Sequence, residues 1–264
     1  MQNFLQKIVD CTLQTVDSAQ RQIPLAQLKE VVSDRHDFRS LAKQLSVGGV
    51  RIIAEIKRAS PSLGAIRIDL DPAALAKAYQ AGGAAAISVL TEPAFFKGSI
   101  ADLQAARNAT ELPVLRKDFI LTPYQVYESV VIGADAILLI VRILDDDTLK
   151  ELYTFAKSLS LEVLVEVYDQ QDVARARKLD AKIIGINNRD LSAFNTNTSN
   201  AVRLAQHFDS DVFVVAASGI HTPADVKNNL NAGINCFLIG ESLVRANDPA
   251  TLLQQFVNAH EEQK

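Results

Sequence analysis

Six polar side chains interrupt apolar runs in a pattern that could do acid–base chemistry. Glu55 and Lys57 close one run, Lys117 a second, Glu166 a third, and Asn187 with Arg189 a fourth. Side chains alternate along a strand, so residues two apart point the same way. Glu55 with Lys57, Leu115 with Lys117, Leu164 with Glu166, and Asn187 with Arg189 therefore each share a face. If that face is the inner one of a closed sheet, two lysines, two glutamates, an arginine and an asparagine meet in one mouth. A lysine and a glutamate so placed tune each other's proton affinity, as acid–base work near neutral pH requires. Any one of them alone reads equally well as a surface ion pair at a loop start. Four apolar runs that switch to charged or amide residues at the same end favour the functional reading.

Two further stretches suit a phosphate. Ser218-Gly219-Ile220 and Gly240-Glu241-Ser242-Leu243 each follow an apolar run, and the second opens a short helical pattern. Glycine lets the backbone approach an anion, and N–H groups at a helix start donate to it. Small residues also serve packing, so this signal gains weight only beside the first.

Such residues need a scaffold that brings strand ends together. After Gly49 the chain alternates strand and helix. Short β-branched runs fall at 51–57, 85–91, 113–119, 134–141, 162–167, 182–188, 212–217 and 234–239. Most are apolar at nearly every position, as parallel strands covered on both faces are. Asp71-Pro72, Thr122-Pro123, Thr222-Pro223 and Asp248-Pro249 each pair an N-cap with proline at the first helical position. Thr122 with Gln125 reads as a capping box. Eight βα units argue for an α/β fold of the (β/α)₈ TIM-barrel type, whose chemistry lies at the carboxyl ends of the strands and whose phosphate site commonly follows strands 7 and 8. A doubly wound sheet is the alternative. It usually carries a glycine-rich dinucleotide turn after an early strand, and here the first run ends Glu55-Ile56-Lys57-Arg58. Residues 1–50 read as additional N-terminal helices, from the spacing of Phe4, Leu5, Ile8, Val9 and Leu13, then Leu25, Leu28, Val31 and Val32, then Phe38, Leu41, Ala42 and Leu45. The reading is one barrel domain over 1–264, with 1–50 as its helical extension.

Composition sets the outer bounds. The 264 residues carry 27 Lys and Arg against 31 Asp and Glu, a net charge of −4. That excludes a generally basic nucleic-acid binder. The longest apolar stretch of the strand runs, 136–141, is far short of the ~20 residues of a membrane span. Met1-Gln2-Asn3-Phe4 does not open like a signal peptide. Cys11 and Cys236 stand alone without metal-type spacing, which fits a reducing cytoplasm. His36, His207, His221 and His260 are scattered, so neither a catalytic histidine nor a metal site is expected. Asp145-Asp146-Asp147 suits the start of a helix. Tyr124 and Tyr127 are expected to cover the surface of theirs. Phe95-Phe96, adjacent in a loop, could pack or could stack on an aromatic substrate. The connection at 60–70 is long for a βα loop, and such loops close over substrate.

Several blocks resemble a known family. Ala54-Glu55-Ile56-Lys57-Arg58-Ala59-Ser60-Pro61-Ser62 is similar to the signature of indole-3-glycerol phosphate synthase. So are Ile87-Ser88-Val89-Leu90-Thr91-Glu92 with Phe95-Phe96-Lys97-Gly98-Ser99, and Leu115-Arg116-Lys117-Asp118-Phe119-Ile120. Gly185-Ile186-Asn187-Asn188-Arg189-Asp190-Leu191, Ser218-Gly219-Ile220 and Phe237-Leu238-Ile239-Gly240-Glu241-Ser242-Leu243 continue the match in the family's order.

The resemblance implies an enzyme of tryptophan biosynthesis. It would convert 1-(2-carboxyphenylamino)-1-deoxyribulose 5-phosphate to indole-3-glycerol phosphate with loss of carbon dioxide and water, using no cofactor or metal. It implies Lys117 as the general acid at the ketone and Glu166 as an acid–base carboxylate. Lys57 would hold the substrate carboxylate and protonate the departing hydroxyl, and Glu55 would pair with it. Asn187, Arg189 and Ser218 would position substrate. Phe96 and Phe119 would wall the ring, and Ser60, Gly219, Gly240 and Glu241 would line the phosphate pocket. The expected partner is this small phosphorylated molecule, with no nucleic acid and no membrane, and the chain a monomer or weak homodimer. Two positions and one segment depart from the family pattern. Ala217 stands where glutamate is usual, Leu63 where a lysine is often found, and Asn195-Thr196-Asn197-Thr198 is more polar than usual. A phosphoribosylanthranilate isomerase would need a cysteine at the end of the first strand, where Glu55 and Lys57 stand. A Schiff-base aldolase built on Lys117 and a non-catalytic barrel binding a phosphorylated ligand are the remaining alternatives.

Overall fold

Eight parallel strands close into a barrel: β1 (Arg51–Ile56), β2 (Ala86–Leu90), β3 (Val114–Lys117), β4 (Ala136–Ile140), β5 (Glu162–Val167), β6 (Ile183–Asn187), β7 (Phe213–Ala217) and β8 (Cys236–Ile239). The computed structural model describes residues 4–32, 34–190 and 195–260. Met1, Gln2 and Asn3 of the N-terminal reading, and Leu191 of the motif blocks, lie outside the described residues. Closure is direct, since Ile53 of β1 faces Ala86 of β2 on one side and Leu238 of β8 on the other. All eight expected strands are present. The fourth is shorter than its apolar run, because Val141 opens a 3₁₀ turn, Val141–Ile143, instead of extending the strand.

Alternation divides the apolar residues between two cores. Ile52, Ala54 and Ile56 face outward, into the layer shared with the helices. Ile53, Leu115, Leu138, Leu164, Ile183, Val215 and Leu238 fill the barrel interior and floor the mouth. The helices start where the sequence caps them. Asp71 accepts from the N–H groups of Ala73 and Ala74 at 2.9 and 3.1 Å, and Asp248 from that of Thr251 at 3.0 Å. Gln125 reaches back to the Thr122 N–H at 3.2 Å, the capping box expected there. Asp145 caps helix Asp146–Ser158, the role expected of its acidic run.

The N-terminal helices, Phe4–Gln22, Leu25–Val32 and Leu41–Leu45, precede β1 and between them reach both ends of the barrel. At the mouth end Phe4 packs edge-on against Phe95, ring centroids 5.2 Å apart. At the opposite end Leu41 and Leu45 pack against the interior residues. There Ser40 Oγ and the Ala42 N–H donate to Glu162, at the start of β5, at 2.8 and 2.9 Å. Between the two ends, Val16 and Leu28 bury Tyr124. This corrects the expectation that Tyr124 and Tyr127 cover the helix surface. Tyr124 is buried and its hydroxyl donates to Ile23 O at 3.0 Å, while Tyr127 is partly buried and packs edge-on against Phe155. Helical periodicity within 123–131 gives no sign of a partner that precedes the barrel in sequence. Among the described residues, no helix is long and apolar enough to cross a membrane.

One buried cation lies behind the mouth. Arg116 points out of the barrel and is 4% exposed; its guanidinium meets Asp118 at 3.0 Å and Glu128 at 2.8 Å. Burial works against its charge, but the two carboxylates outweigh it and hold the group above its ordinary value. Truncating one partner of a buried ion pair leaves the other charge uncompensated, at a cost of about 3–5 kcal/mol. Arg116→Met is expected to destabilise the fold on that scale, read as a lower urea midpoint. An unchanged midpoint would contradict the account of this cluster.

Candidate active site

The carboxyl ends of the strands open on one cleft with about 960 Å³ of open space, its mouth included. Every site residue expected from the sequence lines it. Glu55 and Lys57 come from the end of β1, Lys117 from β3, Glu166 from β5, and Asn187 and Arg189 from β6 and the turn after it. Ser60, Phe96 and Phe119 stand on the loops after β1, β2 and β3, and Ser218, Gly219, Gly240 and Glu241 follow β7 and β8.

Two lysine–carboxylate pairs sit at its centre. Lys57 Nζ lies 2.6 Å from Glu55 Oε1, and Lys117 Nζ lies 3.8 Å from Glu166 Oε2. Glu55 and Glu166 are 3% and 4% exposed. Burial pushes Glu55 up, but attraction to Lys57 and Lys117, the hydrogen bond from Lys57 and attraction to Arg189 together exceed it. The carboxyl is therefore held below its ordinary value. Asn187 Nδ2 donates to Glu166 at 3.2 Å, and Asn187 Oδ1 accepts from the Arg189 N–H at 2.9 Å. The amide thus fixes both the carboxylate and the start of the following turn. Arg189 reaches across to Ser62 Oγ at 3.0 Å, which ties the loop after β1 to the cleft. That loop contains a two-residue hairpin, Ala59–Ser60 against Gly64–Ala65, with Leu63 exposed at its turn.

The other flank is built of backbone. Ser218 and Gly219 both adopt positive φ, 69° and 74°, and line the cleft beside Gly240. For serine this conformation is uncommon. Asn188 supports it: its Nδ2 donates to Ser218 O at 3.0 Å, and its own N–H to Ala217 O at 2.8 Å. Thr196 and Thr198, from the unusually polar segment, lie against Gly219, where a Cβ would stand 2.9 Å from each methyl. Gly240 is constrained in the same way, because a Cβ there would meet Glu55 Oε1 at 2.5 Å. Ala217, standing where the resemblance implies a glutamate, is buried and lines the cleft.

Phe96 and Phe119 face each other with ring centroids 6.1 Å apart, tilted by 40°. Apolar Leu90, Leu138, Ile140 and Leu238 continue that surface. Sequence reasoning gave no role to four residues that belong here. Glu92 accepts three backbone N–H groups of the loop bearing Phe96, and Asp118 accepts the Phe119 N–H at 2.8 Å. Asn188 supports the β7 turn, and His221, set aside as a scattered loop histidine, lines the cleft. The signal for the first three was available: each is a polar residue one position from a residue already singled out or ending a strand run.

Among the described residues, no group of three or more His, Cys, Asp and Glu is placed to hold a metal ion. Cys236 sits at the start of β8, at the other end of the strand from the cleft, and burial pushes its thiol up to about 12. It is therefore a packing residue, not a nucleophile.

Comparison with known proteins adds the family. Residues 5–256 match the family described as Indole-3-glycerol phosphate synthase. The chain is 51% identical over 261 residues to the indole-3-glycerol phosphate synthase of Desulfosudis oleivorans, covering 97% of this chain and 99% of that one. It is 45% identical over 259 residues to the protein of the same name from Polaromonas sp., covering 97% and 98%. Among solved structures, it resembles 3-hexulose-6-phosphate synthase from Salmonella typhimurium with a TM-score of 0.63 at 14% identity, covering 81% of this chain and 100% of that one. It resembles thiamine phosphate pyrophosphorylase from Pyrococcus furiosus with a TM-score of 0.62 at 17% identity, covering 84% and 98%. These last two likenesses speak to the barrel alone.

Proposed function

The chain belongs to the indole-3-glycerol phosphate synthase family and is a carboxy-lyase of tryptophan biosynthesis acting on a small phosphorylated substrate; from that premise we propose how its cleft performs the reaction. The observation that carries the reading is the convergence of Lys117 with Glu166, and Lys57 with Glu55, between an aromatic wall and a backbone hollow.

The substrate phosphate sits in the hollow of Ser218, Gly219, Gly240 and Glu241, with Ser60 at its edge. The carboxyphenyl ring lies against Phe96 and Phe119, and Lys57 holds its carboxylate. In ring closure the carboxylate-bearing ring carbon attacks the ketone carbon, and Lys117 gives its proton to the ketone oxygen as negative charge develops there. Carbon dioxide leaves, and its bonding electrons restore the aromatic ring. Lys57 then protonates the departing hydroxyl, while a carboxylate, Glu166 or Glu55, takes a proton from the neighbouring methylene. Water leaves and the indole double bond forms. Arg189, Asn187 and Ser218 hold the polar chain in place. This assignment gives Lys117 a general-acid role and needs no Schiff base.

We read residues 1–264 as one catalytic unit, with the N-terminal extension plugging the floor so that the interior holds its packing. We also read it as a cytoplasmic monomer or weak homodimer that binds no nucleic acid, in line with its free thiols and net charge of −4.

The departure at Ala217 makes a test. Glu55 and Glu166 remain, so the wild-type chain is expected to turn over substrate, followed by indole fluorescence. Ala217→Glu places a carboxylate beside the lysines and favours their ammonium forms. The alkaline limb of the pH–rate profile is expected to move upward. A profile of unchanged shape would show that no lysine sets that limb.

A further inference from the structure

Resting on the reading of the cleft as the synthase site, we propose that Glu92 is a positioning residue for ring closure. Its buried carboxylate presets the Phe95-Phe96 turn that walls the substrate's carboxyphenyl ring.

Glu92 follows β2 and is 3% exposed. Its Oε1 accepts the Ala94 N–H at 2.8 Å, and its Oε2 accepts those of Phe95 at 2.7 Å and Phe96 at 2.9 Å. Its backbone carbonyl accepts the Gly98 N–H at 3.0 Å. One side chain therefore closes the turn by three charge-assisted bonds to consecutive residues, a geometry that only a doubly accepting group provides. Among the described residues no cation pairs with Glu92, so these N–H groups are what stabilise its buried charge.

The turn has little freedom elsewhere. Lys97 takes φ of 56°, and Gly98 lies so close to the Leu90 carbonyl that no Cβ would fit. On its outer side Phe95 rests against Phe4. On its inner side Phe96 lines the cleft opposite Phe119, and the Phe96 carbonyl accepts the Ala59 N–H at 3.1 Å. Glu92 thus sets two things at once: the plane against which the ring lies, and the anchor for the root of the loop after β1. Neither involves contact with the reacting atoms. A ring held loosely attacks the ketone less often, since reaction rates are sensitive to alignment near the attack distance.

The test compares full-length Glu92→Gln and Glu92→Asp with wild type. It reads kcat, KM and the pH profile, together with the dissociation constants of two probes. One probe is the substrate reduced at its ketone to the alcohol, which keeps the ring; the other is ribose 5-phosphate, which has none. The glutamine amide replaces one acceptor with a donor facing an N–H. Glu92→Gln is expected to raise KM and weaken the reduced substrate about tenfold, while ribose 5-phosphate changes by less than about twofold. The limbs of the pH profile stay where they are. Glu92→Asp keeps the charge, still reaches the nearer N–H groups, and recovers most of the loss. Unchanged affinity for the reduced substrate in folded Glu92→Gln would overturn the proposal, as would equal weakening of both probes or loss of a pH limb. Should Glu92→Gln fail to fold, Glu92→Asp decides alone: a residual loss of about twofold to threefold confined to the reduced substrate supports the proposal, and no loss, or an equal loss for both probes, overturns it. Absence of wild-type turnover would instead fail the synthase reading, which the binding measurements leave separate.

Discussion

Lys117→Met is expected to lower kcat by about 10²–10⁴-fold, the usual contribution of a positioned general acid. Its affinity for the reduced substrate should change far less. The reason is geometric. Lys117 ends β3 on the inner face, above Leu115, and its ammonium lies 3.8 Å from Glu166 within the cleft. Carbon–carbon bond formation moves negative charge onto the ketone oxygen, which bound substrate in its ground state lacks. A donor that strengthens only as that charge appears acts on kcat, whereas KM reports chiefly the ring and phosphate contacts. Methionine keeps the apolar stem and removes the proton. Single-turnover measurement of indole formation checks it. Near wild-type turnover in Lys117→Met would refute the role.

The second large effect is expected at Lys57. Lys57→Met removes both the proton donor proposed for the departing hydroxyl and the cation nearest Glu55, 2.6 Å away. A loss of about 10²–10⁴-fold in kcat follows from the first. The second changes the pH dependence in a definite direction. In the wild type, burial raises Glu55 but the surrounding cations more than offset it, so the carboxyl ionises below its ordinary value. Without Lys57 part of that offset is lost while the burial stays, and the carboxyl moves up. Wherever activity requires ionised Glu55, the acid limb of the residual rate should shift to higher pH. A residual profile whose acid limb stays in place would mean that Glu55 does not set it.

Much of this was legible in the sequence, for identifiable reasons. The strands announced themselves because barrel strands are apolar on both faces, and the helices because Asp71, Thr122, Thr222 and Asp248 cap them before proline. Period-two alternation was enough to place Glu55 and Lys57 on one side, and Lys117 above Leu115. What it cannot show is contact between distant segments. Tyr124 looked like a surface residue because its cover, Val16 and Leu28, lies about a hundred residues earlier. Glu92 and Asn188 could be flagged only by their neighbours Thr91 and Asn187, and their task could not be read, since it is to bond backbone N–H and C=O groups of turns whose shape the sequence does not state. Leu41 and Leu45 read as an ordinary amphipathic pair; only barrel closure makes them a plug.

The central claim is that one mouth holds the ring, the ketone and the phosphate of a single substrate at three separately built places. A crystal structure of the protein with the reduced substrate bound tests it most directly. The account predicts the ring against Phe96 and Phe119, the alcohol oxygen in place of the ketone within hydrogen-bond distance of Lys117 Nζ, and the phosphate on the N–H groups around Gly219 and Gly240. A phosphate seated elsewhere, or a ketone-position oxygen turned away from Lys117, would contradict it.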